Sequence, residues 1–113
     1  MDNCIFCRII KGEIPSGKVY ADEKCYAFRD INPQAPVHVL IAPKEHMTDI
    51  SECAARNDDL AGHLIRVAAK LAKQENLSNG FRLVTNSGSD GCQSVPHLHI
   101  HLLGGAKLAE KMS

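Results

Sequence analysis

The sequence contains no tryptophan, and only 4% of its residues are aromatic. It also has no excess of charge, because 13 basic residues balance 13 acidic ones. No apolar run approaches the roughly 20 residues of a transmembrane helix, and the N-terminal MDNCIFCRII lacks the basic flank and apolar stretch of a secretion signal. We therefore expect neither nucleic acid nor a membrane as a partner, and a cytoplasmic or nuclear location.

The composition is that of one globular domain. The chain has 113 residues, of which 44% are hydrophobic and 23% charged, and we treat residues 1–113 as a single domain. Its five cysteines are odd in number and scattered, which makes a poor disulfide framework, so reduced thiols are expected.

Hydrophobic periodicity and turn residues divide the chain into short elements. Helices are predicted over residues 5–11 and 57–74, and the longer one carries an apolar stripe of Leu60, Leu64, Val67 and Leu71. Strands are predicted over residues 18–21, 25–30, 38–42, 81–86 and 97–103. The first two form a hairpin, and the last two must pair antiparallel because the loop between them is too short for a crossover helix. The pattern indicates an α+β domain with a mainly antiparallel sheet and one long helix across it.

Three of the six histidines lie within the last predicted strand, in His97-Leu98-His99-Ile100-His101. Side chains alternate faces along a strand, so the three imidazoles share one face while Leu98 and Ile100 point into the core. Histidine is not a strong strand former, and a row of three has little structural purpose. This face is therefore a candidate site of chemistry.

Two kinds of chemistry compete for the three histidines. A zinc ion held by all three is disfavoured, because Cα atoms at the two ends of the row are about 13.6 Å apart in a strand. The two outer imidazoles can then barely meet at one ion and not in tetrahedral geometry, although adjacent pairs could share a metal. Nucleophilic attack on phosphorus by the central residue, His99, fits better, since neutral imidazole is a nucleophile near pH 7. The preceding Gly/Ser-rich loop, residues 86–94, is suited to phosphate.

The segment His97-Leu98-His99-Ile100-His101-Leu102-Leu103 resembles the His-apolar-His-apolar-His-apolar-apolar pattern of the histidine triad (HIT) superfamily. Further segments resemble the Hint branch, the histidine triad nucleotide-binding proteins, and they are residues 9–15, 27–31, 33–38, 41–46 and 88–95. The resemblance extends over nearly all of residues 4–105. It implies a HIT-like fold with a five-stranded sheet, one long helix and a short N-terminal helix.

The resemblance also implies an activity. Proteins of this branch are purine nucleotide phosphoramidases, which cleave adenosine 5′-phosphoramidates such as AMP-NH2 or AMP-lysine to AMP through a nucleotidyl-histidine, here on His99. Residues implied in the catalytic network are His99, His101, His38 and Ser94. Residues implied in nucleotide binding are Asp30 for the ribose, Asn86, Gln93 and Ser94 for the phosphate, and Ile5, Phe6, Ile9, Phe28, Ile31 and Leu40 for the base.

The resemblance implies a homodimer whose two sheets join into one of ten strands, with the long helices packed together. Small residues on the helix, Ala61, Ala68 and Ala72, are compatible with such packing.

A zinc site is predicted from the cysteine pair. Cys4-x-x-Cys7 can supply two thiolates, and His46 and His97 can complete a tetrahedral structural site. Some similar HIT proteins bind zinc at these four positions. Redox use of the pair is a rival, but no βαβ context supports it. The chemistry itself is expected to need no metal.

Other activities fit the same residues. A dinucleoside polyphosphate hydrolase, a nucleotidyl transferase and a nucleotide-binding partner protein with slight turnover all remain alternatives. The C-terminal residues 106–113 lack the tryptophan-containing end of some Hint proteins, which leaves the preference for a leaving group open.

Overall fold

The computed structural model describes residues 3–56 and 58–111. The elements in chain order are Ile5–Ile10 (α1), Lys18–Ala21 (β1), Cys25–Arg29 (β2), Val37–Pro43 (β3), Ile50–Arg56 (α2), Asp58–Gln74 (α3), Phe81–Val84 (β4) and Ile100–Gly104 (β5). The long helix was predicted to begin at Asn57, which lies outside the described residues. No helix in the described part of the chain is long and apolar enough to cross a membrane.

The five strands form one antiparallel sheet in the order β1-β2-β3-β5-β4. The predicted hairpin and the predicted antiparallel pairing of the last two strands are both confirmed. The two central strands send alternate side chains into a core, with Val39 and Ile41 on β3 and Ile100 and Leu102 on β5. The opposite face of these strands is thereby left for the functional groups.

Helix α3 covers the core face of the sheet. Its predicted apolar stripe is confirmed, because Leu60, Leu64, Val67 and Leu71 are all buried in the core cluster. Ala68 and Ala72 are buried in the same cluster. They pack within their own chain, and their compatibility with helix packing in a dimer stays a prediction.

Helix α2 was not predicted. It begins with a reciprocal pair of contacts, in which Asp49 Oδ1 accepts the N–H of Glu52 at 3.0 Å and Glu52 Oε1 accepts the N–H of Thr48 at 2.6 Å. An Asp-x-x-Glu spacing is a known signal for a helix start, and it stands in the sequence as Asp49-Ile50-Ser51-Glu52. The segment has only seven residues, too few for a clear helical period.

The last strand begins three residues later than predicted. Strand pairing starts at Ile100 rather than His97. The N–H of His97 bonds to Val95 O, and the N–H of Leu98 bonds to Met47 O. These donors are thus turned towards loops, so residues 97–99 approach the sheet without joining its ladder.

Candidate active site

The alternation predicted for the histidine segment is confirmed. Leu98, Ile100 and Leu102 belong to the core cluster beneath α3. His99 and His101 line a cavity on the other face of the sheet, and His97 lies beside them, next to Cys4 and Cys7. The segment therefore separates hydrophobic packing from polar chemistry with a period of two residues.

The ring of His99 is held by two contacts, and its backbone by a third. Its Nδ1 lies 2.7 Å from the carbonyl oxygen of His97, and the Thr85 hydroxyl donates to the carbonyl oxygen of His99 at 2.8 Å. Phe6 packs edge-on against the imidazole, with ring centroids 4.9 Å apart. A carbonyl oxygen only accepts, so Nδ1 carries the proton and Nε2 of neutral His99 carries a lone pair.

The environment keeps His99 neutral. Burial lowers its pKa, although the hydrogen bond to the His97 carbonyl and the charge of Asp30 act in the opposite direction. A neutral imidazole with a fixed tautomer is the form needed for nucleophilic attack through Nε2.

His101 and His38 form a second pair of rings. His38 Nε2 lies 2.9 Å from His101 Nδ1. Burial lowers the pKa of His101 to about 4, and the nearby His99 and His38 act in the same direction. Burial also lowers the pKa of His38, against the opposing charge of Asp30, whose Oδ2 lies 3.4 Å from His38 Nε2. Both imidazoles are thus neutral at pH 7.

The cavity lined by His99 and His101 has a volume of about 730 Å³. It brings together most of the residues predicted to bind nucleotide, and these are Ile5, Phe6, Ile9, Phe28, Asp30, Ile31, Leu40 and Ser94. Its floor is the small apolar cluster of Phe6, Ile9, Phe28 and Leu40. Ile31, by contrast, is 92% exposed at the edge.

The cavity also includes residues that were not predicted. Val95 and the segment 14–17 line it. That segment, Ile14-Pro15-Ser16-Gly17, lies between the helix predicted over residues 5–11 and the strand predicted over residues 18–21. The apolar side chain of Ile14 packs against the floor cluster, and an isoleucine within turn-forming residues was the one signal available.

Gln93 fixes the loop before the histidine segment. Its Oε1 accepts the N–H of Gly88 at 3.0 Å, while its Nε2 donates to Thr48 O and Val95 O at 2.6 and 3.0 Å. The turn is tight, since a Cβ at Gly91 would lie 2.7 Å from Ser87 O. The side chain of Gln93 is therefore engaged in hydrogen bonds that hold this loop in place.

Two features of this loop bear on the predicted phosphate contacts. Asn86 and Gln93 are not among the residues that line the cavity. Three loop N–H groups, those of Gly88, Cys92 and Gln93, bond to acceptors within the loop. These three donors are consequently not free to hold an anion.

The predicted metal ligands do come together. One ligand atom from each of Cys4, Cys7, His46 and His97 lies within 4.8 Å of the others. His97 Nδ1 lies 3.2 Å from Cys4 Sγ and 3.5 Å from Cys7 Sγ, and His46 Nδ1 lies 3.3 Å from Cys7 Sγ. Sulfur and nitrogen ligands of one tetrahedral zinc are about 3.6 Å apart, from bond lengths of about 2.3 and 2.05 Å. The spacing fits zinc.

The orientation of His97 fits a metal ligand as well. Its Nε2 lies 2.9 Å from the carbonyl oxygen of Pro43, so the proton is on Nε2 and the Nδ1 lone pair faces the two cysteines. A ligating histidine commonly donates its other N–H to a carbonyl in this way. His97 is fully buried, which places the cluster beside the cavity rather than inside it.

Comparison with known proteins identifies the family. A family model described as the HIT domain matches residues 11–108. The chain belongs to the HIT family. A HIT family hydrolase from Clostridium thermocellum has a structure that superimposes with a TM-score of 0.94, is 45% identical in sequence, and is aligned over 100% of this chain and 99% of its own.

Two further relatives have names that refer to different properties, one to zinc binding and the other to an enzymatic activity. A 14 kDa zinc-binding protein of Zea mays is 54% identical over 106 residues, which cover 92% of this chain and 83% of that protein. Adenylylsulfatase HINT1 of Arabidopsis thaliana is 50% identical over 106 residues, covering 92% of this chain and 72% of its own. At the level of the HIT family, these relatives support a hydrolase with a nucleotide site. The predicted five-stranded antiparallel HIT-like fold is confirmed.

Proposed function

We propose that this HIT protein hydrolyses adenosine 5′-phosphoramidates, such as AMP-NH2 or AMP-lysine, to AMP through a nucleotidyl-histidine on His99. The observation that carries the proposal is the bond from His99 Nδ1 to the His97 carbonyl at 2.7 Å. It leaves the Nε2 lone pair of a buried, neutral ring in a cavity of about 730 Å³. That is the arrangement of an activated nitrogen nucleophile.

The first chemical step forms the bond between His99 Nε2 and the α-phosphorus. The electrons of the P–N bond pass to the leaving nitrogen, which takes up one proton and departs as ammonia or an amine. The phosphorylated imidazole is cationic, and its Nδ1–H continues to donate to the His97 carbonyl, which stabilises the positive charge. Ser94 lines the cavity, and the resemblance to Hint proteins assigns its hydroxyl to the leaving-group side.

The second step is hydrolysis of the intermediate. Water attacks phosphorus, the bond from phosphorus to His99 Nε2 breaks, and water loses one proton, so AMP and neutral His99 are formed. The proton released here balances the one taken up in the first step. His101, beside His99 with ring centroids 5.0 Å apart, is proposed to donate a hydrogen bond to a phosphoryl oxygen, and His38 holds the ring of His101.

The cavity supplies separate places for the base and the sugar. The purine is proposed to pack on the floor cluster of Phe6, Ile9, Phe28 and Leu40, with Ile5 and Ile31 at its edge. Asp30 is proposed to accept hydrogen bonds from both ribose hydroxyls, since an ionised carboxylate is an acceptor only. Gln93 is proposed to act on the phosphate indirectly, by fixing the loop that carries Ser94.

Zinc is proposed to be structural. Cys4, Cys7, His46 and His97 would hold it, and when bound it would supply a cross-link between α1 and the histidine segment. In this scheme His97 assists the chemistry only through its backbone carbonyl.

A second candidate substrate is an adenylyl sulfate. The observation that favours it is the name of the Arabidopsis relative, adenylylsulfatase HINT1, at 50% identity. Attack by His99 would give the same nucleotidyl-histidine, with sulfate rather than an amine as the leaving group. The two candidates differ only in the leaving group, and the resemblance to Hint proteins assigns Ser94, which lines the cavity, to that side.

A direct test compares wild type with His99→Ala on AMP-NH2, AMP-lysine, adenylyl sulfate and diadenosine polyphosphates. We expect the phosphoramidates to be the best substrates and the variant to lose their hydrolysis while still binding AMP. Unchanged turnover in the variant would overturn the covalent mechanism. AMP binding without turnover of any of these by wild type would instead favour a nucleotide-binding partner protein.

We also propose a homodimer. Strand β4 lies at an edge of the sheet, and Phe81 on it is 45% exposed. Phe81 contributes with Ala69 and Leu77 to a groove of about 430 Å³ between β4 and α3. An exposed apolar strand edge is a surface that commonly pairs with another chain. Light scattering should give the mass of two chains, and Phe81→Glu should give the mass of one.

A further inference from the structure

His38 is contacted by a backbone donor on the side away from His101. The N–H of Gln34 points at His38 Nδ1 with a separation of 3.0 Å. A peptide N–H can only donate, so His38 Nδ1 must carry the lone pair. Since the ring is buried and neutral, its single proton is on Nε2.

The position of the proton on His38 determines which nitrogen of His101 is protonated. His38 Nε2 lies 2.9 Å from His101 Nδ1, so the proton on His38 Nε2 is donated to His101. His101 Nδ1 then acts as an acceptor, and the single proton of neutral His101 is on Nε2. Two consecutive hydrogen bonds thus link the N–H of Gln34 to His101. Through them a backbone group fixes the position of the proton on a ring that lines the cavity.

We propose that the main-chain N–H of Gln34 sets the proton positions of the His38–His101 pair, so that His101 offers Nε2–H as a donor to the anionic group bound beside His99. This inference rests on the proposed function for its effect on catalysis, but the tautomers themselves do not. Gln34 is therefore a positioning residue, and it acts through its backbone rather than its side chain.

The loop that carries this N–H is held at both ends. Asp30 Oδ1 accepts the N–H of Asn32 at 2.8 Å, and the N–H of Asp30 bonds to His38 O at 3.0 Å. The exposed side chain of Gln34 donates to Asn32 O at 3.0 Å, within the same loop. The side chain can consequently be changed while the backbone donor stays in place.

This difference gives a matched pair of variants. Gln34→Ala keeps the N–H, whereas the same position filled by lactic acid, the α-hydroxy analogue of alanine, has an ester oxygen in its place. The two proteins differ by one N–H group. Gln34→Pro is a genetically encoded third variant that also lacks the donor.

The first readout is the tautomer of each histidine, from long-range 1H–15N spectra of the substrate-free protein at pH 7. In wild type and Gln34→Ala we expect His38 and His101 to be protonated on Nε2 and free on Nδ1. In the ester variant we expect His38 to show a mixture of tautomers. Wild-type protein with Nδ1 protonated on either ring, or an ester variant with the same spectrum as Gln34→Ala, would overturn the proposal.

The second readout is hydrolysis of AMP-NH2. We expect kcat of the ester variant to fall about fivefold relative to Gln34→Ala, the effect of one neutral hydrogen bond, with KM nearly unchanged. Gln34→Pro should follow the ester variant. Equal kcat values for the ester variant and Gln34→Ala would count against the proposal. If no substrate is turned over at all, the proposed function fails while the tautomer result still decides this inference.

Discussion

The carbonyl oxygen of His97 accepts a hydrogen bond from His99 Nδ1 at 2.7 Å, while the ring of His97 faces Cys4 and Cys7. One residue thus belongs to two neighbouring groups, with its backbone in the proposed active site and its side chain among the proposed metal ligands. The two contributions can be separated by mutation, because replacing the side chain leaves the carbonyl in place.

His97→Gln should remove a metal ligand without removing the group that orients His99. We expect zinc content to fall sharply, while kcat per folded molecule falls by no more than about tenfold, a barrier change of about 1.4 kcal/mol. His99→Ala is the matched comparison and should lose turnover completely. Loss of turnover in folded His97→Gln as severe as in His99→Ala would show that the imidazole of His97 takes part in the chemistry.

The zinc site predicts a stoichiometry. Protein purified without chelator should contain about one zinc per chain. The double variant Cys4→Ser, Cys7→Ser should lose it and unfold at a lower temperature, because metal binding adds directly to folding stability. Cys92→Ser is the control, since Cys92 is an exposed thiol outside the cluster. Elemental analysis that finds wild-type zinc far below one per chain would contradict the site.

Ile31 tests the apolar edge of the cavity. Its side chain is 92% exposed, so Ile31→Ala should leave the unfolding temperature unchanged. If a purine packs against it, the truncation removes about 1 kcal/mol of apolar contact, and AMP should bind about fivefold more weakly. Calorimetric titration measures the affinity. An AMP affinity equal to wild type would place the base elsewhere.

Asp22 predicts how stability depends on pH. Its carboxylate accepts the N–H groups of Lys24 and Cys25 and contacts the Tyr20 hydroxyl and His63 Nε2, the last at 2.8 Å. Burial alone would raise the pKa of Asp22, but these hydrogen bonds outweigh burial and hold it well below the usual range. The stabilisation is therefore complete above the ordinary pKa of 3.8 and is lost as pH falls towards the lowered one.

Asp22→Asn should lower the free energy of unfolding by about 2 kcal/mol at pH 7, the scale of hydrogen bonds to a charged group. The difference in unfolding free energy between this variant and wild type should be smaller at pH 3. Urea titrations at both values measure it, with Glu23→Gln in the same exposed turn as the control. A difference that is equal at pH 7 and pH 3 would contradict the lowered pKa.

Much of the fold could be predicted from local patterns. The alternation in residues 97–102 separates the core residues Leu98, Ile100 and Leu102 from the histidines with a period of two, and the stripe on α3 fixes the face that α3 buries. Both patterns are local in the sequence, so they can be recognised without knowledge of the tertiary structure. Helix α2 was missed because its seven residues are too few for a clear helical period. The late start of β5 was missed because it depends on where the N–H groups of His97 and Leu98 find acceptors.

The site was only partly accessible to sequence reasoning. Resemblance to Hint proteins gathered Asp30, Phe28 and Leu40 around the histidines, and the cavity contains all three. The tautomers could not be predicted, because they are set by Pro43 O, His97 O and the N–H of Gln34. No residue type encodes the position of a backbone carbonyl, which depends on the path of the folded chain.

The central claim is that His99 carries the nucleotidyl group during turnover. The most direct measurement is rapid quenching of wild-type protein mixed with AMP-NH2, followed by peptide mapping at alkaline pH, where a phosphorus–nitrogen bond on imidazole survives. We expect a peptide heavier by one adenylyl group, with the addition on residue 99 and none in His99→Ala. Hydrolysis at the wild-type rate with no adenylylated peptide at any time, or with the group on another residue, would contradict it.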